Sequence, residues 1–380
     1  MATKKRAPRK AATKQRATTK AVPKAAAKSA VTKRRAAKST ALVKRAVPVT
    51  LVTGGTGFLG AHLVRELVAR GEQRVRVFAS SAPAWLAELG VETVTGSVTN
   101  AADVARALAD VGTIYHLAGR VSREREDAHL MYELHVDGTR VLCQAARAAG
   151  VKNMLLVSTS GTIAVTDDEE ITPDENWPAP LDIISRWPYY ASKFYQERGA
   201  LEHFTGQGLR LVIVNPSLLL GPGDERLSST KVLLDFLARK IMSVPAGGLS
   251  FVDVRDVAAV LPVALERGTH GERFLLGAVN WSFAKFFERL ERLTKVAAPR
   301  FSLPSKLAVS GAQALDTLYR HWQLAPPVKP EEIEQANYFW YLDAAKAHSE
   351  LGFTTRDPQE TLQETVAYVR EHFLGKGAFA

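Results

Sequence analysis

The stretch "VTGGTGFLG", Val52–Gly60, decides how the rest of the chain is read. It continues a short apolar, β-branched run, "PVTLVT", and leads into "GFLGAHLVRELVARG", where apolar residues recur at helical spacing up to a stop at Gly71. A strand, a glycine loop and a helix in that order aim a helix N-terminus at an anion. Gly54 permits the tight turn, Gly57 lets the backbone approach a pyrophosphate, and Gly60 lets the helix pack close to the strand. The bare motif also fits an ordinary strand-to-helix turn, so its weight comes from the residues beyond it.

Those residues repeat the pattern. "RVRVFAS" (74–80) reads as a second strand, followed by a helix at "AWLAEL" and a strand at "VETVTGS". Asn100 can cap a helix over 101–110, "TIYHLAG" (113–119) is a fourth strand, and a helix over 129–149 precedes the strand "NMLLVSTS" (153–160). Strands alternating with helices predict an α/β fold with a parallel, doubly wound sheet of the Rossmann type. Ligands of such a sheet bind at the carboxyl ends of its strands, where Gly57, Ser80, Ala118 and Ser160 all fall.

At 380 residues and 46% hydrophobic, the chain can bury a large core as one big domain or two smaller ones. Its formal charge of +11 is unevenly placed. Residues 1–46 hold 16 Lys and Arg and no acid, leaving 34 basic against 39 acidic residues, a net −5, for the remainder. This Lys/Arg/Ala-rich tail has no aromatic residue and almost nothing to bury, which predicts disorder. In composition it resembles linker-histone tails. It reads as a solubilising extension or as a non-specific binder of nucleic acid or another polyanion. An organellar transit peptide ranks last, because Lys outnumbers Arg and no amphipathic stripe is present.

Cys143 is the only cysteine, which excludes an intramolecular disulfide; its helical surroundings mark a small buried side chain. No apolar run approaches the roughly 20 residues of a bilayer span, and no apolar segment near Met1 marks secretion. The expected location is the cytoplasm. "TDDEE" (166–170) has no histidine nearby and reads as a solvated loop, so no metal site is expected.

After the fifth strand comes "RWPYYASKFYQERGALEHF". Tyr189 and Lys193 are four apart and share one helical face. A phenol with its free pKa of about 10 is a poor proton relay at neutral pH. A nearby ammonium lowers that pKa and makes the phenol usable. Ser160, 29 residues upstream of Tyr189 at the end of the fifth strand, could hold a substrate oxygen beside it.

With these motifs in place, the sequence resembles the extended short-chain dehydrogenase/reductases, within the NAD(P)-dependent epimerase/dehydratase group. "TGGTGFLG", "IYHLAG", "VDGTRVL", "LLVSTSGT", "PYYASK", "NPSLLLGPGD" and "FVDVRDVA" carry the likeness, as does "LDAAKAHSELGFTTRDPQETLQETVAYVREHF", so that it covers about residues 48–375. The texture is nearest to dihydroflavonol-4-reductase-like and hydroxysteroid-dehydrogenase-like members. The resemblance implies that Tyr189 is the general acid/base, that Lys193 bonds the nicotinamide ribose and tunes Tyr189, and that Ser160 polarises the substrate. It implies a cofactor loop of Gly54, Thr56, Gly57, Phe58, Leu59 and Gly60. Ser80, Leu117, Ala118 and Gly119 would line the cofactor, with Pro216 near the nicotinamide. It divides the chain into the tail 1–46 and a domain over 47–380, of which 47–225 is mainly dinucleotide-binding and catalytic and 226–380 mainly substrate-binding and helical.

Three positions depart from the pattern. Ser97 stands where many relatives have an adenine-contacting Asp, and His135 replaces the usual Asn of "NVxGT". No acid follows the second strand; "FASS" stands there instead. Without a carboxylate to repel a 2′-phosphate, NADP is favoured over NAD, although the arginine that reductase-like relatives often use is Ser80 here.

A reductase or dehydrogenase needs only Ser160, Tyr189, Lys193 and an exchangeable nicotinamide. Gly161-Thr162 replaces the Asp-Glu pair expected of a 4,6-dehydratase. A sugar-nucleotide epimerase with tightly held NAD stays open through Asn215, which could contact a sugar, and through Arg226, Lys231 and Arg255, which could meet a diphosphate. The aromatic, Leu/Ala-rich segments 301–322 and 326–348 read as helical; they fit ordinary core or a pocket for a hydrophobic carbonyl substrate. The further alternatives are a non-catalytic NAD(P) sensor and a nucleic-acid-associated protein acting through the tail. Homodimerisation is left open.

Overall fold

Val49–Thr53 forms β1, buried along its whole length, which explains its continuous apolar and β-branched character. The structure, a computed structural model, describes residues 47–122, 124–302, 305–322 and 329–375. The basic tail, with the disorder and polyanion binding expected of it, lies outside the described residues. After β1 come β2 (Val75–Ala79), β3 (Glu92–Thr95), β4 (Val111–His116), β5 (Asn153–Val157) and β6 (Arg210–Pro216). They are followed by β7 (Leu218–Leu220), β8 (Gly248–Asp253), β9 (Glu272–Leu276), β10 (Val279–Ser282) and β11 (Phe339–Trp340).

Seven strands form one parallel sheet in the order β3-β2-β1-β4-β5-β6-β9. The strand order reverses between β1 and β4, opening the crevice where such sheets bind ligands. A second sheet places β10 and β11 on either side of β8, with β7 also paired to β8. The fold is therefore the doubly wound α/β class that the strand–helix alternation predicts.

The helices used below are α1 (Phe58–Ala69), α2 (Ala101–Ala107), α3 (Gly138–Ala148), α4 (Pro188–His203), α5 (Val254–Arg267), α6 (Phe283–Thr294), α7 (Ser305–His321), α8 (Pro330–Gln335) and α9 (Pro358–Val369). One face of the main sheet is covered by α1 and α5, whose Leu63, Leu67, Leu261 and Ala264 pack over Val52, Val77 and Val214. The other face is covered by α3 and α4 through Leu142, Cys143, Ala146 and Ala200, over Leu51, Ile114 and Met154. Cys143 is fully buried, and burial pushes its thiol up to about 12. A third cluster joins Phe251, Trp281, Phe286, Leu362 and Val366 around the second sheet. Among the described residues no helix is long and apolar enough to cross a membrane.

Three local expectations change. Asn100 caps α2, accepting from the N–H groups of Ala102 at 2.9 Å and Asp103 at 3.1 Å, but the helix ends at Ala107 and the chain turns through Asp110 at φ +61°. The helix expected over 129–149 is interrupted by a wider π turn at Glu133–Asp137, which carries His135 inward. "YFWY" is not helical: Phe339–Trp340 is the strand β11, paired with Gly248 and Leu249. The large β-prone rings outweigh the helical reading of that segment.

Candidate active site

The glycine loop is shaped by close backbone approaches. Gly54 has φ +71°, and a Cβ there would lie 2.7 Å from the Ala118 nitrogen. A Cβ on Gly60 would strike the Gly54 carbonyl and come within 2.8 Å of the Gly55 Cα. Gly57 stands before the first turn of α1, with its N–H donating to Gly54 O at 3.0 Å and no side chain capping the helix. The first N–H groups of α1 are thus left for an anion in the adjoining cavity.

That cavity has a volume of about 2250 Å³. Gly54, Thr56, Gly57, Phe58, Leu59, Gly60 and Ser80 line it, as do Leu117, Gly119, Ser160, Tyr189, Lys193 and Pro216. Phe283, Phe287, Phe301, Leu315 and Trp340 add an aromatic and aliphatic lining. Every cofactor and catalytic candidate is on this wall except Ala118. Its backbone packs behind Gly54, and its N–H donates to Thr53 Oγ1 at 3.2 Å. The glycine cradle, the uncapped helix start and the cavity's volume fit a dinucleotide.

Helix α4 shows why sequence periodicity alone cannot describe the site. Its buried residues include Ser192, Lys193, Gln196 and Glu197, so a polar face is turned into the protein. Lys193 Nζ donates to Val157 O at 2.8 Å and to Gln196 Oε1. Gln196 Nε2 donates to Thr139 Oγ1 at 2.9 Å, and Thr139 bonds His116 Nε2 at 2.8 Å. His116 Nδ1 closes on Thr53 Oγ1 at 2.7 Å, one residue before the glycine turn. This chain of buried groups ties the lysine to the cofactor loop. Burial pulls the Lys193 ammonium down to about 8, and pushes His116 down to about 3 with help from the Lys193 charge.

A second set holds Tyr189. His135 Nε2 accepts the Arg120 N–H at 3.0 Å, so the ring proton is on Nδ1, which donates to Ser192 Oγ at 2.9 Å. Ser192 donates in turn to Tyr189 O at 2.9 Å, and the His135 ring meets the Tyr189 ring edge-on at 6.0 Å. The expected lowering of the Tyr189 phenol by Lys193 is not what this geometry gives. Burial raises it above its ordinary value, the neighbouring Tyr190 adds to this, and a hydrogen bond with Thr159 offsets part. The Lys193 ammonium is instead engaged by Val157 and Gln196. Ser160 opens a single tight turn, Ser160–Thr162, and is 5% exposed.

Asn215 is turned away from the cavity. It is fully buried, and its amide donates to Glu197 Oε1 at 2.8 Å and Thr159 O at 3.0 Å. Glu197 also accepts from Thr162 Oγ1 at 2.8 Å and pairs with Arg273 at 2.9 Å. Of the three basic candidates, Arg226 and Lys231 line the cavity, whereas Arg255 is paired with Asp253 at 2.6 Å and Glu364 at 2.5 Å. Sequence reasoning missed Gln196 and Glu197. Their one signal is two polar residues placed three and four positions after Lys193, on the face that α4 buries.

A nucleotide-binding crevice at a switch point, with Ser160, Tyr189 and Lys193 on one wall, defines a dinucleotide-dependent enzyme class. The pattern of the NAD dependent epimerase/dehydratase family matches residues 50–277, and the chain belongs to that family. It is 33% identical over 84% of its length to a putative dihydroflavonol 4-reductase of Synechocystis sp., covering 94% of that protein. It is also 33% identical to sterol demethylase protein B of Methylococcus capsulatus, over 85% of this chain and 98% of that one. Among solved structures, the protein gox2253 superposes with a TM-score of 0.74 at 30% identity, over 87% of this chain and all (100%) of that one. The chain is a nicotinamide-dependent oxidoreductase acting on CH–OH groups.

Proposed function

We propose that this protein is an NADP-preferring reductase of a carbonyl, or dehydrogenase of the matching alcohol, on a small hydrophobic metabolite. The observation that carries the reading is that Ser160, Tyr189 and Lys193 line one cavity together with the glycine loop and the apolar Phe283, Phe287, Phe301, Leu315 and Trp340. Nicotinamide, when bound, supplies or accepts the hydride. Ser160 orients the substrate oxygen, and Tyr189 passes the proton to it or from it. Lys193 holds the nicotinamide ribose. The two relatives with reductase and sterol names support a hydrophobic substrate.

Sugar-nucleotide epimerisation is the second reading, and the burial of Asn215 counts against it: its amide nitrogen already donates to Glu197 and Thr159. The missing acid after β2 supports NADP over NAD. The proposed location is the cytoplasm. Residues 1–46 are the proposed polyanion contact, and salt-dependent affinity that survives their deletion would remove that part.

The test is turnover of a ketone panel with NADPH and with NADH. Tyr189→Phe should abolish turnover while cofactor binding persists. Near-wild-type activity in that variant, or a higher kcat/KM with NADH, refutes the corresponding assignment.

A further inference from the structure

The end of β2 lacks the arginine that would hold a 2′-phosphate, yet the structure supplies a guanidinium from another element. Arg65 lies on α1, five residues past Gly60, and lines the cavity together with Ser80, Ser81 and Trp85. Ser80 and Ser81 directly follow β2, the position beside the adenosine ribose in this fold. Trp85 sits in the short helix Ala84–Glu88 that comes next. The Arg65 guanidinium carbon is 4.3 Å from the Trp85 ring centroid, stacked as a cation on an aromatic face.

The charge of Arg65 is uncommitted. Among the described residues it forms no ion pair, and its one hydrogen bond runs from Nη1 to Ala61 O at 3.0 Å. The nearest acid along the helix, Glu66, is taken by Arg70 at 2.6 Å. None of the cavity-lining residues between positions 54 and 85 is a carboxylate. A planar donor fork held over an indole, lining the same cavity as Ser80 and Ser81, has the shape and charge for a phosphate monoester.

We infer that Arg65, braced on Trp85, forms with Ser80 and Ser81 the subsite for the 2′-phosphate of NADP. The inference rests on the proposed cofactor reading and gives it a residue. Arg65 does from α1 what an arginine after β2 does elsewhere, and it explains why two serines suffice at that strand end.

The experiment measures binding of 2′,5′-ADP, 5′-AMP, NADPH and NADH to the full chain, wild type and Arg65→Ala, by calorimetry. Wild type should prefer 2′,5′-ADP to 5′-AMP. Arg65→Ala should weaken 2′,5′-ADP and NADPH roughly 10- to 100-fold, the range for losing a charge-assisted hydrogen bond, while 5′-AMP and NADH keep their affinities. Retained NADH binding also shows that the variant is folded. Trp85→Ala should weaken NADPH by a smaller factor in the same direction. Equal losses for NADPH and NADH, no loss for either, or a wild type that prefers 5′-AMP overturns the subsite alone. A wild type that binds neither dinucleotide overturns the cofactor reading, and the subsite with it.

Discussion

Lowering the pH from 7 to 5 should remove stability through two buried histidines, about 2 kcal/mol of it through His116. His116 and His135 are both fully buried and both held neutral: burial pushes His116 down to about 3 and His135 well below its ordinary value. The hydrogen bonds say the same for His135. Its Nε2 accepts the Arg120 N–H, so a second ring proton would set one N–H against another. In the unfolded chain both rings titrate near their free pKa of about 6.5. Below that pH the unfolded chain binds protons that the folded one refuses. Stability is therefore full above about 6.5 and is lost as pH falls, by about 2 kcal/mol at pH 5 for His116 and in the same direction for His135. Ordinary carboxylates titrate nearer 4, which leaves pH 5 to 6.5 to the histidines. The assay is urea unfolding followed by tryptophan fluorescence at pH 7, 6 and 5. His135→Asn restores the residue of the related pattern, whose amide can accept from Arg120 and donate to Ser192 without titrating. Its stability loss between pH 7 and 5 should be smaller than wild type's. Equal losses in the two proteins would refute the reasoning.

Other perturbations have equally direct readouts. Gln196→Leu deprives the buried Lys193 ammonium of a charge-assisted hydrogen bond worth about 1.5–3 kcal/mol, or about 1–2 pKa units. The alkaline limb of kcat/KM, expected near the Lys193 value of about 8, should move down by that amount; an unmoved limb removes the coupling. Glu197→Ala strands Arg273 and the Asn215 amide and should lower unfolding stability by about 3–5 kcal/mol, seen as a lower urea midpoint. A loss below about 1 kcal/mol would show that the pair is replaceable by water. Gly161→Ala drives a methyl into the Tyr190 ring, which stacks on Trp340 at 4.6 Å. It should destabilise by about 1–3 kcal/mol and raise KM for the carbonyl substrate; unchanged values for both would mean the ring yields freely.

The main sheet was legible because β1, β4, β5 and the glycine turn are read from local signals: β-branched runs, a strand–loop–helix order, and an asparagine cap at Asn100. The tyrosine and lysine were legible by their spacing of four. What was not legible depends on contacts between distant segments. Nothing near Asn215 in sequence announces that Glu197 will claim its amide. Arg65 looks like an ordinary solvated helix residue until Trp85 is brought beneath it. Tyr338 to Tyr341 alternate their packing through pairing with Gly248 and Leu249, a strand whose partner lies some ninety residues earlier. The depth of Tyr189 is likewise a tertiary property, which is why a neighbouring lysine alone predicted the wrong direction for its phenol.

The late return of β9 to the main sheet governs how the chain can be made. β6, whose Leu211–Val214 are fully buried, has β9 as its outer partner, and α1 has α5 as its lid. Both partners come from beyond residue 225. A chain emerging from the ribosome therefore completes its glycine loop early but leaves the helix behind that loop uncovered, and the β6 edge unpaired, until residue 276 is out. A fragment cut at 225 would carry every catalytic candidate and still present a sticky edge.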